Sequence, residues 1–224
     1  MIARTAEPAR DRLARVRIYL ITDAAPQVQP IERFLRDAVA GGVDMVQLRE
    51  KGMSDAALLD VAARCSLVCH SLGVPFIVND RADIAIASGA DGVHLGQDDL
   101  PVAHARRLGG EGLIVGLSTH SVQQIEAATH EDLDYIGVGP IWATPTKEGR
   151  PPVGVSLVRF AAQHATQPFF AIGGLDPDNV AEVVAAGGER ISVLRWITRA
   201  ADPKGAATLL SERLEAARSA RARS

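Results

Sequence analysis

Two short stretches concentrate side chains able to do chemistry. In FIVNDRADIA, residues 76 to 85, the apolar run Phe76-Ile77-Val78 stops at Asn79 and Asp80 and then turns into a helix start. That is the pattern of a buried parallel strand delivering polar side chains at its carboxyl end. DGVHLGQDD, residues 91 to 99, repeats it and ends in Asp98 and Asp99. Parallel neighbours lie about 4.8 Å apart, so Asp80 and Asp99 could hold one divalent cation between them. Magnesium takes one or two carboxylates and fills its shell with water and substrate phosphate oxygens. Each acid also has an ordinary reading. Asp80 could be a helix N-cap, and Asp98 and Asp99 could be loop residues ahead of Pro101.

A basic cluster accompanies the acids. In QLREK, strand alternation puts Gln47, Arg49 and Lys51 on one side. Two cations and an amide on one face suit a polyanion such as a diphosphate. The alternative is pairing of Arg49 and Lys51 with Glu50 and a neighbouring acid. Ser118, Thr119 and His120 follow another strand-like run. A serine beside a histidine raises nucleophilic catalysis, but no third member accompanies them, and His120 reads as a polar residue near a helix cap. Thr144, Thr146 and Lys147, in TPTK, fit a loop closing over a charged ligand; an exposed turn held by Pro145 is the alternative. Gly173-Gly174 offers bare backbone N–H groups where phosphate often binds in barrels, although turns need glycine too.

The elements that must position these residues alternate. Strands are predicted at Arg17–Ile21, Asp44–Leu48, Phe76–Val78, Gly92–Leu95, Leu113–Ser118, Asp134–Pro140, Pro168–Gly174 and Arg190–Leu194. Helices follow them: about Ile31–Ala40, Ser54-Asp55 to Leu72-Gly73, from Arg81, from Pro101, Ser121 to about Thr129, Ser156–His164, Asp176-Pro177 to Gly187-Gly188, and Ala206–Ala217. Eight βα units in 224 residues predict an α/β fold, a single (β/α)8 TIM barrel. An open doubly wound sheet would want a glycine fingerprint after strand one, and TDAAPQ is not one. The domain division is an N-terminal extension over 1–16, the barrel over 17–217 and a basic disordered tail over 218–224. The loop of residues 142 to 154, with three prolines and two glycines, is long for a compact domain and fits a lid.

Bulk properties exclude several classes. A composition 47% hydrophobic and 23% charged is that of an ordinary soluble protein, and a formal net charge of −3 gives no footprint for nucleic acid or an anionic membrane. No apolar run reaches the roughly 18 residues a membrane span needs, and the N-terminus lacks the apolar core of a signal peptide. Cys65 and Cys69, four apart on a helix, read as small buried hydrophobes in a reduced, cytoplasmic protein. A homo-oligomer is compatible with all of this.

Taken in order, QLREK, FIVNDRADIA, DGVHLGQDD, GLSTH, YIGVGPIWATPTK and FAIGG resemble the thiamine-phosphate synthase family. The resemblance implies a transferase that joins hydroxymethylpyrimidine diphosphate to hydroxyethylthiazole phosphate and releases pyrophosphate. It implies that Gln47, Arg49, Lys51, Asn79, Ser118 and Lys147 hold the pyrimidine diphosphate, and that Asp80 and Asp99 ligate Mg2+. It implies that Thr144, Thr146, Gly174 and the positions of Leu194 and Arg195 meet the thiazole phosphate. The chain departs from the family pattern at the last of these, where Arg195 replaces a serine in AGGERISVLRWI, residues 186 to 197. The family's dissociative reaction needs no protein nucleophile, only charge stabilisation of the leaving group and exclusion of water. Alternatives are an isomerase acting on the thiazole phosphate, with His120 as proton shuttle, and a barrel that binds that phosphate without turnover.

Overall fold

The computed structural model describes residues 9–26, 29–144 and 151–223. Within them, eight parallel strands close into a barrel in chain order: β1 (Ile18–Thr22), β2 (Met45–Leu48), β3 (Phe76–Asn79), β4 (Gly92–Leu95), β5 (Ile114–Thr119), β6 (Tyr135–Val138), β7 (Phe169–Ile172) and β8 (Ile191–Val193). The ring closes where Ile18, Tyr19 and Leu20 pair with Ile191, Ser192 and Val193. The helices are α1 (Ala9–Arg12), α2 (Ile31–Ala40), α3 (Asp55–Leu72), α4 (Ala82–Ala87), α5 (Val102–Gly109), α6 (Val122–Ala128), α7 (Gly154–His164), α8 (Val180–Ala185), α9 (Arg195–Thr198) and α10 (Pro203–Arg221). The expected single (β/α)8 barrel is therefore the observed fold.

Local chemistry explains these elements. Helix α2 buries Ile31, Phe34, Leu35 and Ala38, the i, i+3, i+4, i+7 stripe of a helix with one face on a core. Ser54 caps α3 by accepting from Ala57 N, and Gly73 ends it at φ 74°, a left-handed turn that suits glycine. Ser121 caps α6 by accepting from Gln124 N. The strands are short and mostly buried on both faces, since one face meets helices and the other meets the barrel lumen.

The apolar interior forms two clusters. One lies between strands and helices and includes Leu20, Phe34, Val46, Val93 and Leu210. The other fills the lumen: Tyr19, Met45, Ile77, Ile114, Tyr135 and Phe170, with Leu13 and Val16 from below. Each such aliphatic or aromatic side chain contributes about 1.5–3 kcal/mol on burial.

Several boundaries differ from expectation. Helix α5 starts at Val102, with Pro101 before it rather than in its first turn. Helix α8 starts only at Val180, because the Asp176 carboxylate draws the N–H groups of Asp178 and Asn179 into a preceding turn. Helix α10 begins at Pro203, capped by Asp202, and runs on to Arg221. Residues 218–221 are therefore helical, not a disordered tail; Arg218 pairs with Glu215 one turn back at 2.9 Å, and Ala217 packs on the core. Residues 9–16 of the N-terminal stretch are ordered too, and plug the amino-terminal end of the barrel through Leu13 and Val16. Among the described residues, no helix is long and apolar enough to cross a membrane.

Candidate active site

At the carboxyl ends of the strands a cavity of about 350 Å³ opens, lined in part by Gln47, Arg49, Asn79, Ser118, Gly174 and Arg195. Residues separated by more than a hundred positions thus share one pocket, and polar side chains stand on an otherwise apolar wall. This is where barrel enzymes carry their chemistry.

The acidic pair forms at one edge. Asp80 follows β3, whose pairing with β4 is continued by Asp80 N donating to His94 O at 2.8 Å. Asp80 has φ 64°, and it is the only non-glycine described residue with positive φ. That backbone costs of order 1–3 kcal/mol and marks a site where side-chain placement overrides comfort. Helix α4 has no side-chain cap, so Asp80 is not its N-cap. Asp99 approaches from the turn after β4, where Gly96 N donates to its Oδ2 at 2.6 Å. The Asp99 carboxyl lies within hydrogen-bonding reach of Asp80. Burial, the hydrogen bond with Asp99 and the charge of Asp99 push Asp80 up to about 6, against the opposing pull of Lys51 and Arg49. Lys51 Nζ stands 3.9 Å from Asp80 Oδ2. Asp98 is exposed.

The basic cluster is split by depth. Gln47, in β2, is buried and gives an Nε2 hydrogen to the Tyr19 hydroxyl at 2.5 Å. Arg49 lines the cavity, whereas Lys51 lies further out, with its side chain 64% exposed. The strand ends at Leu48, so alternation no longer holds Lys51 on the side of Gln47. Glu50 neutralises neither cation by direct pairing. Its carboxylate accepts from the N–H groups of Ala24, Lys51 and Gly52, which overcome its partial burial and keep it below the usual carboxylate range. Arg49 remains available to an anion, whereas Lys51 already faces a neighbouring acid, Asp80.

Across the barrel, β7 and β8 present a second polar edge. Gly173 and Gly174 have φ 105° and 68°, and a Cβ on either would collide with Pro140 or Trp142. Glycine is needed here for conformation and space alike. The Gly174 N–H finds no acceptor among the described residues. Leu194 and Arg195 line the same side, joined by Arg199 from the end of α9. Arg195 turns into the cavity, and its Nη2 donates to Thr144 Oγ1 at 3.3 Å. Thr146 and Lys147 lie outside the described residues.

Three participants escaped the sequence reading. His94, on β4, lines the cavity, with Nε2 2.9 Å from Ser118 Oγ and Nδ1 3.0 Å from the Tyr135 hydroxyl. Tyr135 and Tyr19 link hydroxyls at 2.8 Å in the lumen. Alternation held the signal: with Val93 and Leu95 facing the helices, His94 between them must face inward. His120 lines the cavity too, its Nδ1 bonded to the Gly139 carbonyl.

These residues can grip an anion at each of two separate edges and a polar ring between. Among the described residues, no group of three or more His, Cys, Asp or Glu side chains could hold a metal. Two adjacent carboxylates nevertheless fit magnesium, whose remaining ligands come from water and phosphate. Burial raises the affinity of Asp80 for a proton most, and the repulsion from Asp99 that adds to it is what a dication would relieve.

Known proteins match this architecture. The family model described as thiamine monophosphate synthase matches residues 18–197. The thiamine-phosphate synthase of Gloeobacter violaceus is 49% identical over 205 residues, which cover 92% of this chain and 59% of that longer protein. The thiamine-phosphate synthase of Acidothermus cellulolyticus is 48% identical over 210 residues, covering 92% of this chain and 98% of its own. A solved structure of thiamine phosphate pyrophosphorylase from Pyrococcus furiosus superposes with a TM-score of 0.83 at 28% identity, covering 93% of this chain and 98% of that one.

Proposed function

The chain belongs to the thiamine monophosphate synthase family, and we propose that it joins hydroxymethylpyrimidine diphosphate to hydroxyethylthiazole phosphate, with Asp80 and Asp99 holding magnesium. The observation that carries this is the presence of two separate anion-binding edges on one cavity. Arg49 and Lys51 follow β2, beside the acids after β3 and β4. Gly174, Leu194 and Arg195 follow β7 and β8, three to four strands round the ring from the acids and two to three from the basic residues. A diphosphate on one side and a monophosphate on the other would bring their organic parts together over the cavity.

The chemistry then asks little of the protein in bond making. The bond from the pyrimidine methylene carbon to the diphosphate oxygen breaks, and its electron pair leaves with pyrophosphate. The thiazole nitrogen gives its lone pair to that carbon. Magnesium, when bound, would add charge neutralisation on the diphosphate. Arg49 and Lys51 stabilise the same developing charge from preorganised positions. Gln47, Asn79 and Ser118 hold the pyrimidine ring, and the apolar part of the cavity wall keeps water from the cationic carbon. A lid role for the loop of residues 142 to 154, with Thr146 and Lys147, completes the proposal.

The test is direct. The two substrates and Mg2+ are mixed with folded protein and thiamine phosphate is followed by chromatography. Product with stoichiometric pyrophosphate is expected; its absence refutes the reading.

A further inference from the structure

A chain of four hydrogen bonds crosses the barrel lumen: Gln47 Nε2 to Tyr19 OH at 2.5 Å, Tyr19 OH to Tyr135 OH at 2.8 Å, Tyr135 OH to His94 Nδ1 at 3.0 Å, and His94 Nε2 to Ser118 Oγ at 2.9 Å. Both ends of the chain, Gln47 and Ser118, line the cavity. Tyr19 and Tyr135 do not, and are 1% and 0% exposed.

The chain has a direction, and Gln47 sets it. An amide nitrogen can only donate, so Tyr19 accepts from Gln47. If Tyr135 also donated to Tyr19, the Tyr19 hydrogen would be left in a dry lumen without an acceptor, which is costly. Tyr19 therefore donates to Tyr135, and Tyr135 donates to His94 Nδ1. Burial raises the affinity of both phenols for their protons, so neither hydroxyl is lost at neutral pH. His94 Nδ1 must then be bare, and the ring's proton sits on Nε2, from which it is donated to Ser118. The Ser118 hydrogen, displaced from the histidine, is left for the cavity.

We propose that Tyr19 and Tyr135 are positioning residues that lock His94 in its Nε2–H tautomer and turn Ser118 into a hydrogen-bond donor toward the substrate ring. This deepens the functional reading above and rests on it for the identity of the ring. A ring nitrogen carrying a lone pair, as in an aminopyrimidine, meets the Ser118 donor; an N–H at the same place, as in the corresponding pyrimidinone, meets another hydrogen. The fold makes room for the device. A Cβ on Gly116 would lie 2.1 Å from Tyr135 Cζ, so only glycine at that position in β5 lets the phenol reach the histidine.

The experiment reads the histidine itself. In protein with 15N-labelled histidine, His94 of the substrate-free wild type is expected to show a protonated Nε2 and a bare Nδ1. Tyr19→Phe, which alters neither His94 nor the cavity wall, should give a mixture of tautomers and a fall in kcat/KM of about tenfold for the pyrimidine diphosphate. Gln47→Met removes the same directing hydrogen and should also give a mixture, which covers the case where the phenylalanine variant does not fold. A wild-type His94 protonated on Nδ1, or a pure Nε2–H signal retained in the folded variants, overturns the proposal. The tautomer is observed without turnover, so this result stands apart from whether the condensation occurs.

Discussion

Arg195 ties the start of α9 to a loop: its Nη2 donates to Thr144 Oγ1, on the segment after β6, at 3.3 Å. The resemblance read from the sequence implies a serine at this position. A guanidinium here adds a charged donor beside the Gly174 N–H and couples ligand binding to the neighbouring loop. Arg195→Ser should raise KM for the thiazole phosphate about tenfold, the scale of one charge-assisted hydrogen bond, while kcat changes by less than about twofold. The salt dependence of that KM should weaken in the variant. Steady-state kinetics at two ionic strengths would decide; an unchanged KM would mean that Arg195 serves the loop alone.

The acid pair predicts how metal binding follows pH. Asp80 titrates at about 6 because burial and Asp99 favour its protonated form. Metal must displace that proton, so Mg2+ affinity should be flat above about pH 7 and fall by up to tenfold per unit below 6. The stability linkage has the same origin. The folded pKa lies above the ordinary aspartate value of 3.8, so the metal-free fold is favoured at low pH and loses that advantage as pH rises through 6. Calorimetric titration with Mg2+ and thermal melts across pH 4.5–8 test both trends. Asp99→Asn should flatten the melting trend and abolish magnesium-dependent turnover.

How much of this was legible in the sequence follows from what each residue does alone. Asp80 and Asp99 could be paired in advance because each sits where an apolar run stops, and strand ends in a barrel converge. The (β/α)8 order was legible for the same reason. Gln47 and Lys51 were less so, since alternation predicts direction only while the chain stays extended, and β2 ends at Leu48. His94, Tyr19 and Tyr135 look like core residues until the closed ring sets strands β1, β4 and β6 face to face across the lumen. The run of α10 to Arg221 was missed because an alanine and arginine tail also fits a disordered end, and only its packing against α8 and α2 decides.

The opposite end of the barrel predicts stability without function. Asp134, 4% exposed, accepts from Val115 N at 2.8 Å and from Arg106 Nη2 at 2.6 Å, and also pairs with Arg10 of the N-terminal segment. Asp134→Ala would leave the Arg106 guanidinium, itself only 10% exposed, without its buried partner. The expected cost is about 3 kcal/mol by denaturant unfolding. Because the cavity lies at the far ends of the strands, kcat/KM of the folded fraction should stay within about twofold of wild type.

Space inside the lumen gives the last prediction. Gly116 faces the Tyr135 ring so closely that a Cβ would lie 2.1 Å from Cζ and 2.5 Å from the hydroxyl. The ring cannot retreat freely, since its centroid is 5.7 Å from Tyr19 and 5.4 Å from Phe170 in edge-to-face contact. Gly116→Ala should therefore destabilise the fold by about 1–3 kcal/mol, the usual cost of overfilling a packed core. It should also tilt Tyr135 away from His94 and lower kcat/KM. Gly112→Ala is the matched control, because a Cβ there meets nothing within 4 Å. Thermal melts and kinetics on the two variants separate the effects: a Gly116→Ala protein as stable and active as Gly112→Ala would show that the lumen yields, and that the Tyr135 hydroxyl has no fixed place in the site.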